Sequence, residues 1–172
     1  CVILPALASI IPDLEQFKTG FRVGLFAPQS DQVVTTYSRS MTRLRSANAD
    51  MVLTDPDIDV WLESVARLEL SNGSFLAGQV ASKQSKIESK TYDLVIVEEA
   101  QDVDDLIVSK SIEPMLSSTA GTLIKVGTTG MTKNHFYYEI KHNRELDRKC
   151  LDPRVRHHYE YDYKKIIASR RE

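Results

Sequence analysis

Short apolar runs that suit β-strands are separated along this chain by longer stretches in which apolar residues recur at helical spacing. Leu94–Val97 contains no polar residue, which is typical of a strand buried on both faces of a parallel sheet. Asn72-Gly73 lies between two apolar-patterned runs and predicts a β-hairpin. In chain order the pattern predicts a helix ending near residue 15, a strand over 21–27, a helix with an apolar stripe at Val33, Val34, Tyr37, Met41 and Leu44, an acidic loop over 46–60, the hairpin over 64–78, a polar loop over 82–90, the strand Leu94–Val97, a helix to about Leu116 with Val103, Leu106 and Ile107 on one face, a strand over 122–126 and a last strand over 157–163. This order predicts an α/β fold with a mainly parallel sheet flanked by helices.

The two carboxylates Glu98 and Glu99 follow the strand Leu94–Val97 directly. Charges do not lie unpaired inside a buried strand, so both are expected at its carboxyl end, where open α/β sheets bind their ligands. One carboxylate in such a place can hold Mg²⁺ through its water shell. The other can orient or deprotonate an attacking water. The alternative is an acidic turn that is only solvated.

A second polar tip, Gly127-Thr128-Thr129-Gly130, follows the predicted strand over 122–126. Hydroxyl and backbone N–H groups in such a tip can bind a phosphate or the attacking water. The same groups can shift when the phosphate leaves. The alternative is a plain turn from a strand into a helix. Ser30 is predicted to cap the helix that follows the first strand.

Basic residues cluster along the predicted helix that begins near Ser30. Arg39, Arg43 and Arg45 suit either a solvated face or a patch that faces DNA or a neighbouring subunit. Farther along, His135 has no second His or Cys nearby at ligand spacing. We therefore expect His135 to pack or to form a hydrogen bond rather than to bind a metal.

Composition limits the classes of function. A chain of 172 residues with 42% apolar and 27% charged residues is typical of one globular domain. The net charge of −2 excludes a domain that binds nucleic acid by bulk charge, so any DNA contact must use local basic patches. Two cysteines form no disulfide framework and suit a reducing cytoplasm. No apolar run approaches the roughly 20 residues that a membrane span needs, so no membrane partner is expected.

The segment Leu94–Gln101 resembles the Walker B segment of the ASCE branch of P-loop ATPases. The order of the other motifs extends this resemblance over most of residues 20–140. Over this range the sequence is similar to the ATPase domain of the large terminase subunit of tailed bacteriophages. The motifs that carry this resemblance are the strand end Ala27-Pro28, the hairpin Asn72-Gly73-Ser74, the tip Gly127–Gly130 and the segment Asn134-His135-Phe136-Tyr137.

The resemblance implies an ASCE P-loop fold and assigns roles to the two polar tips. Glu99 would be the catalytic glutamate, and Glu98 would stand where the Mg²⁺-associated acid is usually Asp, with the metal held through water. Thr128, Thr129 and Gly130 would sense the γ-phosphate and couple hydrolysis to movement. ATP and Mg²⁺ are the implied cofactors. The implied partners are double-stranded DNA, a portal protein, a small terminase subunit and further copies in a ring, in the cytoplasm of a bacterial host.

The phosphate-binding loop of this family, Gly-x-x-x-x-Gly-Lys followed by Ser or Thr, does not occur in the sequence. We expect residues 1–172 to be a partial ATPase domain that begins after this loop, lacks the family's C-terminal nuclease domain and is inactive alone. Two alternatives remain open. One is the core of a superfamily 2 helicase or translocase, and the other is a non-catalytic module for DNA binding or assembly.

Overall fold

The computed structural model describes residues 20–45, 60–83, 90–128, 133–152 and 157–158. The chain divides after Thr128 into two compact units, which are described separately below. The predictions for residues 1–15, 46–59, 84–89 and 159–163, and those for Thr129 and Gly130, lie outside the described residues. The regular elements are the strands β1 (Arg22–Ala27), β2 (Val60–Ser64), β3 (Arg67–Leu70), β4 (Phe75–Val80), β5 (Leu94–Val97) and β6 (Thr122–Lys125), and the helices α1 (Ser30–Leu44), α2 (Asp105–Ile107) and α3 (His135–Lys149).

In the first unit, the described residues form a six-stranded sheet in the order β2-β3-β4-β1-β5-β6. The pairs β4–β1, β1–β5 and β5–β6 are parallel, whereas β2–β3 and β3–β4 are antiparallel. The predicted α/β fold with a mainly parallel sheet is therefore confirmed. All four residues of β5 are buried, as predicted for a strand whose two faces are both covered.

The predicted hairpin is the pair β3–β4. Gly73 adopts a φ of 82°, a left-handed conformation that glycine tolerates without steric cost. The side-chain oxygen of Asn72 accepts a hydrogen bond of 2.9 Å from the backbone N–H of Ser74. β2 was not predicted as a separate strand. β2 pairs with β3 after a tight turn at Val65-Ala66, so the two strands form a second hairpin before the predicted one.

Helix α1 packs on β1 and β4 through its apolar stripe. Val33, Tyr37 and Met41 are buried, whereas Val34 is 38% exposed, so its predicted place in the stripe is wrong. The reason is helical geometry: Val34 lies about 100° around the helix axis from Val33. The helix also lies very close to β4, because a Cβ atom at Gly78 would stand 2.5 Å from Cγ1 of Val33.

The start of α1 differs from the prediction. The carbonyl of Gln29 accepts the hydrogen bond from the N–H of Val33, and Ser30 is already the first helical residue. The N–H of Gln29 donates to Oε1 of Gln32 at 3.2 Å. Gln29 therefore occupies the cap position predicted for Ser30, and its bond to the side chain of Gln32 is one half of a capping box.

A salt bridge, the Arg22–Asp93 clasp, joins the amino ends of β1 and β5. Oδ2 of Asp93 accepts hydrogen bonds from the backbone N–H and from Nε of Arg22, at 2.8 and 2.9 Å. Oδ1 accepts a third from the guanidinium at 3.1 Å. The hydrogen bonds that its guanidinium donates to Asp93 raise the pKa of Arg22 above its ordinary value. This bidentate pair fixes the two strands in register at the end of the sheet remote from Glu98.

The segment from Ala100 to Leu116 is helical but irregular. A 3-10 turn over Ala100–Asp102 precedes α2, and a π-helical turn over Val108–Ile112 and a 3-10 turn over Glu113–Leu116 follow it. The predicted end near Leu116 is confirmed. Leu106 is 59% exposed, so its predicted place on the buried face with Val103 and Ile107 is wrong.

In the second unit, α3 begins at a side-chain cap. Oδ1 of Asn134 accepts a hydrogen bond of 3.1 Å from the N–H of Tyr137. Nδ1 of His135 lies 3.4 Å from Oε1 of Glu139, one helical turn away, in agreement with the polar contact expected for this histidine. No described helix is both long and apolar enough to cross a membrane.

Candidate active site at the carboxyl edge of the sheet

The acidic turn Glu98-Glu99 lies at the carboxyl edge of the parallel strands, between the ends of β1 and β6. The N–H of Glu98 donates to the carbonyl of Phe26 in β1 at 2.8 Å. The N–H of Ala100 donates to the carbonyl of Val126, just after β6, at 3.0 Å. Both carboxylates are half-buried. The backbone of both neighbouring strands therefore holds the turn in place, and its side chains remain within reach of a ligand.

The carboxylate of Glu98 is tied to helix α1. The hydroxyl of Thr36 donates to Oε2 of Glu98 at 2.5 Å, across 62 residues of sequence. This is a short, charge-assisted hydrogen bond, a kind that is stronger than a neutral one. It restrains one oxygen of the carboxylate.

Glu99 has an unusual backbone conformation. Its φ of 47° and ψ of 46° lie in the left-handed region, which costs a residue other than glycine about 1–2 kcal/mol. The N–H of Asp102 donates to the carbonyl of Glu99 at 2.8 Å and closes a tight turn. Strained residues of this kind cluster at active sites, where the strain fixes the direction of a side chain.

Gln101 joins the two predicted polar tips. Its Nε2 donates to Oε2 of Glu99 at 2.7 Å, and its Oε1 accepts from the backbone N–H of Thr128 at 3.1 Å. A longer contact of 3.4 Å leads from Nε2 to Oδ2 of Asp102. The side chain of Gln101 therefore connects the acidic turn after β5 with the loop after β6.

Sequence analysis placed Glu98, Glu99 and Thr128 at one edge of the sheet, and the structure brings these three residues together. It did not single out Thr36 or Gln101 as members of the site. Gln101 could have been found from its place two residues after Glu99, since side chains of one tight turn often interact. No local pattern marks Thr36, whose contact depends on how α1 packs against the sheet.

The residues fit a hydrated Mg²⁺ better than a metal enclosed by protein ligands. Among the described residues no group of three or more His, Cys, Asp or Glu side chains could hold a metal ion. Mg²⁺ commonly uses one or two carboxylates, several waters and the phosphate oxygens of its substrate. The hard oxygens of Glu98, held by Thr36, suit that arrangement.

Of the three arginines singled out in the sequence, the structure describes the side chains of Arg39 and Arg45, and neither is among the contacts given above for the acidic turn. Arg39 and Arg45 are exposed. Both alternatives given for them, a solvated face and a patch that meets a partner, stay open.

Fold and site together define a class: an α/β domain whose parallel strands end in two polar tips, one of them doubly acidic.

No protein-family model and no curated protein matches this chain. Solved structures do. The chain is similar to the large terminase ATPase domain of Thermus phage P74-26, with 21% identity, a TM-score of 0.61 and coverage of 78% of this chain and 57% of that one. A mutant of that domain gives the same values. The large terminase of bacteriophage HK97 gives 15% identity, a TM-score of 0.56 and coverage of 91% of this chain and 32% of that one.

These likenesses show the fold. The predicted resemblance to phage large terminase ATPase domains is thereby confirmed at the level of the fold. The chain spans 57% of the length of the Thermus phage domain.

Proposed function

We propose that this chain is part of the ATPase motor of a phage large terminase, which hydrolyses ATP to drive double-stranded DNA into a procapsid. The observation that carries the proposal is the pairing of Glu99 with the loop at Thr128 through Gln101, at the carboxyl edge of a sheet with a terminase ATPase fold. The similar solved structures are terminase domains, which favours this proposal over a superfamily 2 helicase.

Glu99 is the proposed general base. Its carboxylate orients a water and accepts a proton as the water oxygen attacks the γ-phosphorus in line. The bond from that phosphorus to the bridging oxygen of ADP breaks, and the products are ADP and inorganic phosphate. The left-handed backbone at Glu99 and the bond from Gln101 fix the direction of the carboxylate before the reaction begins.

Glu98 has a different proposed task. It would hold Mg²⁺ through water, and Thr36 keeps its carboxylate in one orientation. Bound Mg²⁺ neutralises charge that develops on the phosphate oxygens. Glu98 and Glu99 thus share one turn, but Glu98 is proposed to bind the metal and Glu99 to orient the attacking water.

The loop that begins at Thr128 is proposed to sense the γ-phosphate, with Thr128, Thr129 and Gly130 as its members. Support comes from the exposed position of Thr128 at the same edge as the two acids. Double-stranded DNA, a portal protein, a small terminase subunit and a ring of further copies are the proposed partners, in the cytoplasm of a bacterial host.

The cradle for the β- and γ-phosphates is proposed to lie beside β6. β6 is an edge strand of the sheet formed by the described residues. Ile124 within it and Val126 just after it are 40% and 49% exposed. A further parallel strand paired with β6 would end next to Thr128. A phosphate loop at the end of such a strand would face Glu99.

The test is Mg²⁺-dependent ATP hydrolysis by the full-length protein, with and without double-stranded DNA. Glu99→Gln should abolish turnover and leave ATP binding intact, because the amide has nearly the same shape but is a poor base. Glu145→Gln is the matched control, since Glu145 is an exposed carboxylate of helix α3 outside the acidic turn. It should hydrolyse ATP like the wild type.

Two results would contradict the proposal. Hydrolysis at the wild-type rate by Glu99→Gln would remove Glu99 from the mechanism. Absence of hydrolysis in the full-length wild type, even with DNA and portal protein present, would favour the non-catalytic module.

A further inference from the structure

We infer that Gln101 is a positioning residue that sets the orientation of the Glu99 carboxylate according to the position of the loop at Thr128. This inference rests on the proposed function, since it assigns a task within the same site. It concerns a side chain to which the terminase resemblance gave no role. It follows from the two hydrogen bonds that Gln101 makes in opposite directions.

The partners of Gln101 fix which way its amide faces. An ionised carboxylate only accepts hydrogen bonds, so Glu99 must meet the NH₂ group. A backbone N–H only donates, so Thr128 must meet the amide oxygen. Both contacts require the same orientation of the amide, and a flipped Gln101 would lose both bonds.

The backbone around the two bonds is held at defined points. The N–H of Ala100 donates to the carbonyl of Val126, and the N–H of Val126 donates to the carbonyl of Val97. Thr128, two residues beyond Val126, is exposed and lies past the end of β6. A displacement of this loop therefore reaches the Glu99 carboxylate through the amide of Gln101, while the strand ends stay paired.

The strengths of the contacts identify which one matters. The bond of 2.7 Å to Glu99 is charge-assisted and short, whereas the contact of 3.4 Å to Asp102 is close to the limit of a hydrogen bond. Loss of a hydrogen bond to a charged group corresponds to about a tenfold to hundredfold change in rate if the bond is needed at the transition state. Gln101 is thus expected to influence turnover through Glu99 rather than through Asp102.

Three substitutions separate the two halves of the connection. Gln101→Glu keeps an acceptor for Thr128 but cannot donate to Glu99. Gln101→Lys keeps a donor for Glu99 but cannot accept from Thr128. Gln101→Leu removes both bonds at a similar side-chain size. Asp102→Asn is the matched control, because it alters the carboxylate next to Gln101 and leaves both bonds in place.

The experiment measures ATP binding, kcat and its pH dependence, and DNA stimulation of hydrolysis, all in the full-length protein. Gln101→Leu and Gln101→Glu should lower kcat by about tenfold to a hundredfold with ATP affinity unchanged. Gln101→Glu should also move the acidic limb of the pH–rate profile to higher pH, because a second carboxylate nearby disfavours the charged form. Gln101→Lys keeps a donor for Glu99, so it should lower kcat less than Gln101→Leu does, and it should lose most of the stimulation by DNA. A purely structural role would move neither the pH profile nor the DNA response.

Amide hydrogen exchange at Thr128 measures directly whether its N–H is bonded to Gln101. In the wild type this N–H is bonded to Gln101, so exchange should be faster in Gln101→Leu and Gln101→Lys than in Gln101→Glu. If Gln101→Leu does not fold, the Glu and Lys variants decide the matter by themselves.

The inference is overturned if the wild type hydrolyses ATP and all three variants keep its kcat, pH profile and DNA response. That outcome leaves the proposed function standing. A wild type without any ATPase activity overturns the proposed function itself, so the two failures are distinguishable.

Discussion

The hydroxyl of Thr36 lies 2.5 Å from Oε2 of Glu98, so helix α1 restrains the first acid of the turn that follows β5. Half-buried carboxylates need such partners, because burial without a hydrogen bond is costly. The contact also makes the proposed metal site depend on how closely α1 packs against the sheet.

Thr36→Val should therefore weaken the use of Mg²⁺. We expect the Mg²⁺ concentration for half-maximal ATP hydrolysis to rise by about tenfold, because a partner that orients a metal-associated carboxylate is lost. Thr36→Ser keeps the hydroxyl and should behave like the wild type. Thr35→Val alters the exposed neighbouring residue on α1 and should have no effect. An unchanged Mg²⁺ requirement in Thr36→Val would separate Glu98 from the metal.

The left-handed conformation of Glu99 predicts that glycine at this position gives a more stable protein than alanine, which reverses the usual order of these two residues. Glu99→Gly should be more stable than Glu99→Ala by about 1 kcal/mol, because glycine adopts a positive φ without steric cost. Chemical denaturation of the full-length protein measures the difference. Both variants should lack ATPase activity.

Ala120 is the matched control for that prediction. It has a φ of 49° in the turn before β6, and its methyl group makes no hydrogen bond. Ala120→Gly should stabilise the protein by about 1 kcal/mol and leave hydrolysis unchanged. Equal stability of alanine and glycine at both positions would argue against strain at Glu99.

Gly78→Ala should push α1 away from β4. The added Cβ would stand 2.5 Å from Cγ1 of Val33, and overpacking of this kind costs about 1–3 kcal/mol of unfolding free energy. The double variant Gly78→Ala with Val33→Ala removes the clashing methyl group and should lose less stability than the sum of the two single variants. Simple additivity in a double-mutant cycle would contradict the close contact.

The second unit should lose stability on acidification. The backbone N–H of His157, the ring of His157 and the N–H of His158 donate to Asp147, and they lower the pKa of that carboxyl below its ordinary value. An acid with a lowered pKa stabilises the fold above its unfolded pKa, near 3.8, and this contribution is lost as the pH falls through the folded pKa. Burial, and then the charge of Arg144, lower the pKa of His158 below 6.5. Its unfolded form therefore binds a proton first, and stability falls as the pH drops below 6.5.

The measurement for this prediction is an NMR titration of Asp147 and His158 in the full-length protein, with Asp147→Asn as the variant. The carboxyl of Asp147 should titrate below the ordinary range for aspartate, and the ring of His158 below 6.5. Ordinary values for both groups would contradict the contacts among Asp147, His157 and His158.

The elements with local signals could be predicted from the sequence. The unbroken apolar run of β5 and the Asn72-Gly73 turn specify their structures through residues that are neighbours in the chain. The position of Glu98 and Glu99 at the carboxyl edge follows from the same logic, because charged residues end a buried strand. The assignment of their chemistry stays a prediction.

The remaining features depend on packing. Thr36 meets Glu98 across 62 residues, so this contact depends on how α1 packs against the sheet. Helical periodicity does not predict the π-helical turn over Val108–Ile112 or the exposure of Leu106. Gln101 is local in sequence to Glu99, but its second partner, Thr128, lies 27 residues away.

The Arg22–Asp93 clasp makes the amino ends of β1 and β5 different from their carboxyl ends. At their amino ends the carboxylate of Asp93 accepts three hydrogen bonds from Arg22, two of them from its guanidinium. At their carboxyl ends the contacts described between the two strands are backbone hydrogen bonds, and the side chains of the acidic turn contact other elements. Substitutions in the acidic turn are therefore expected to leave the pairing of β1 with β5 intact.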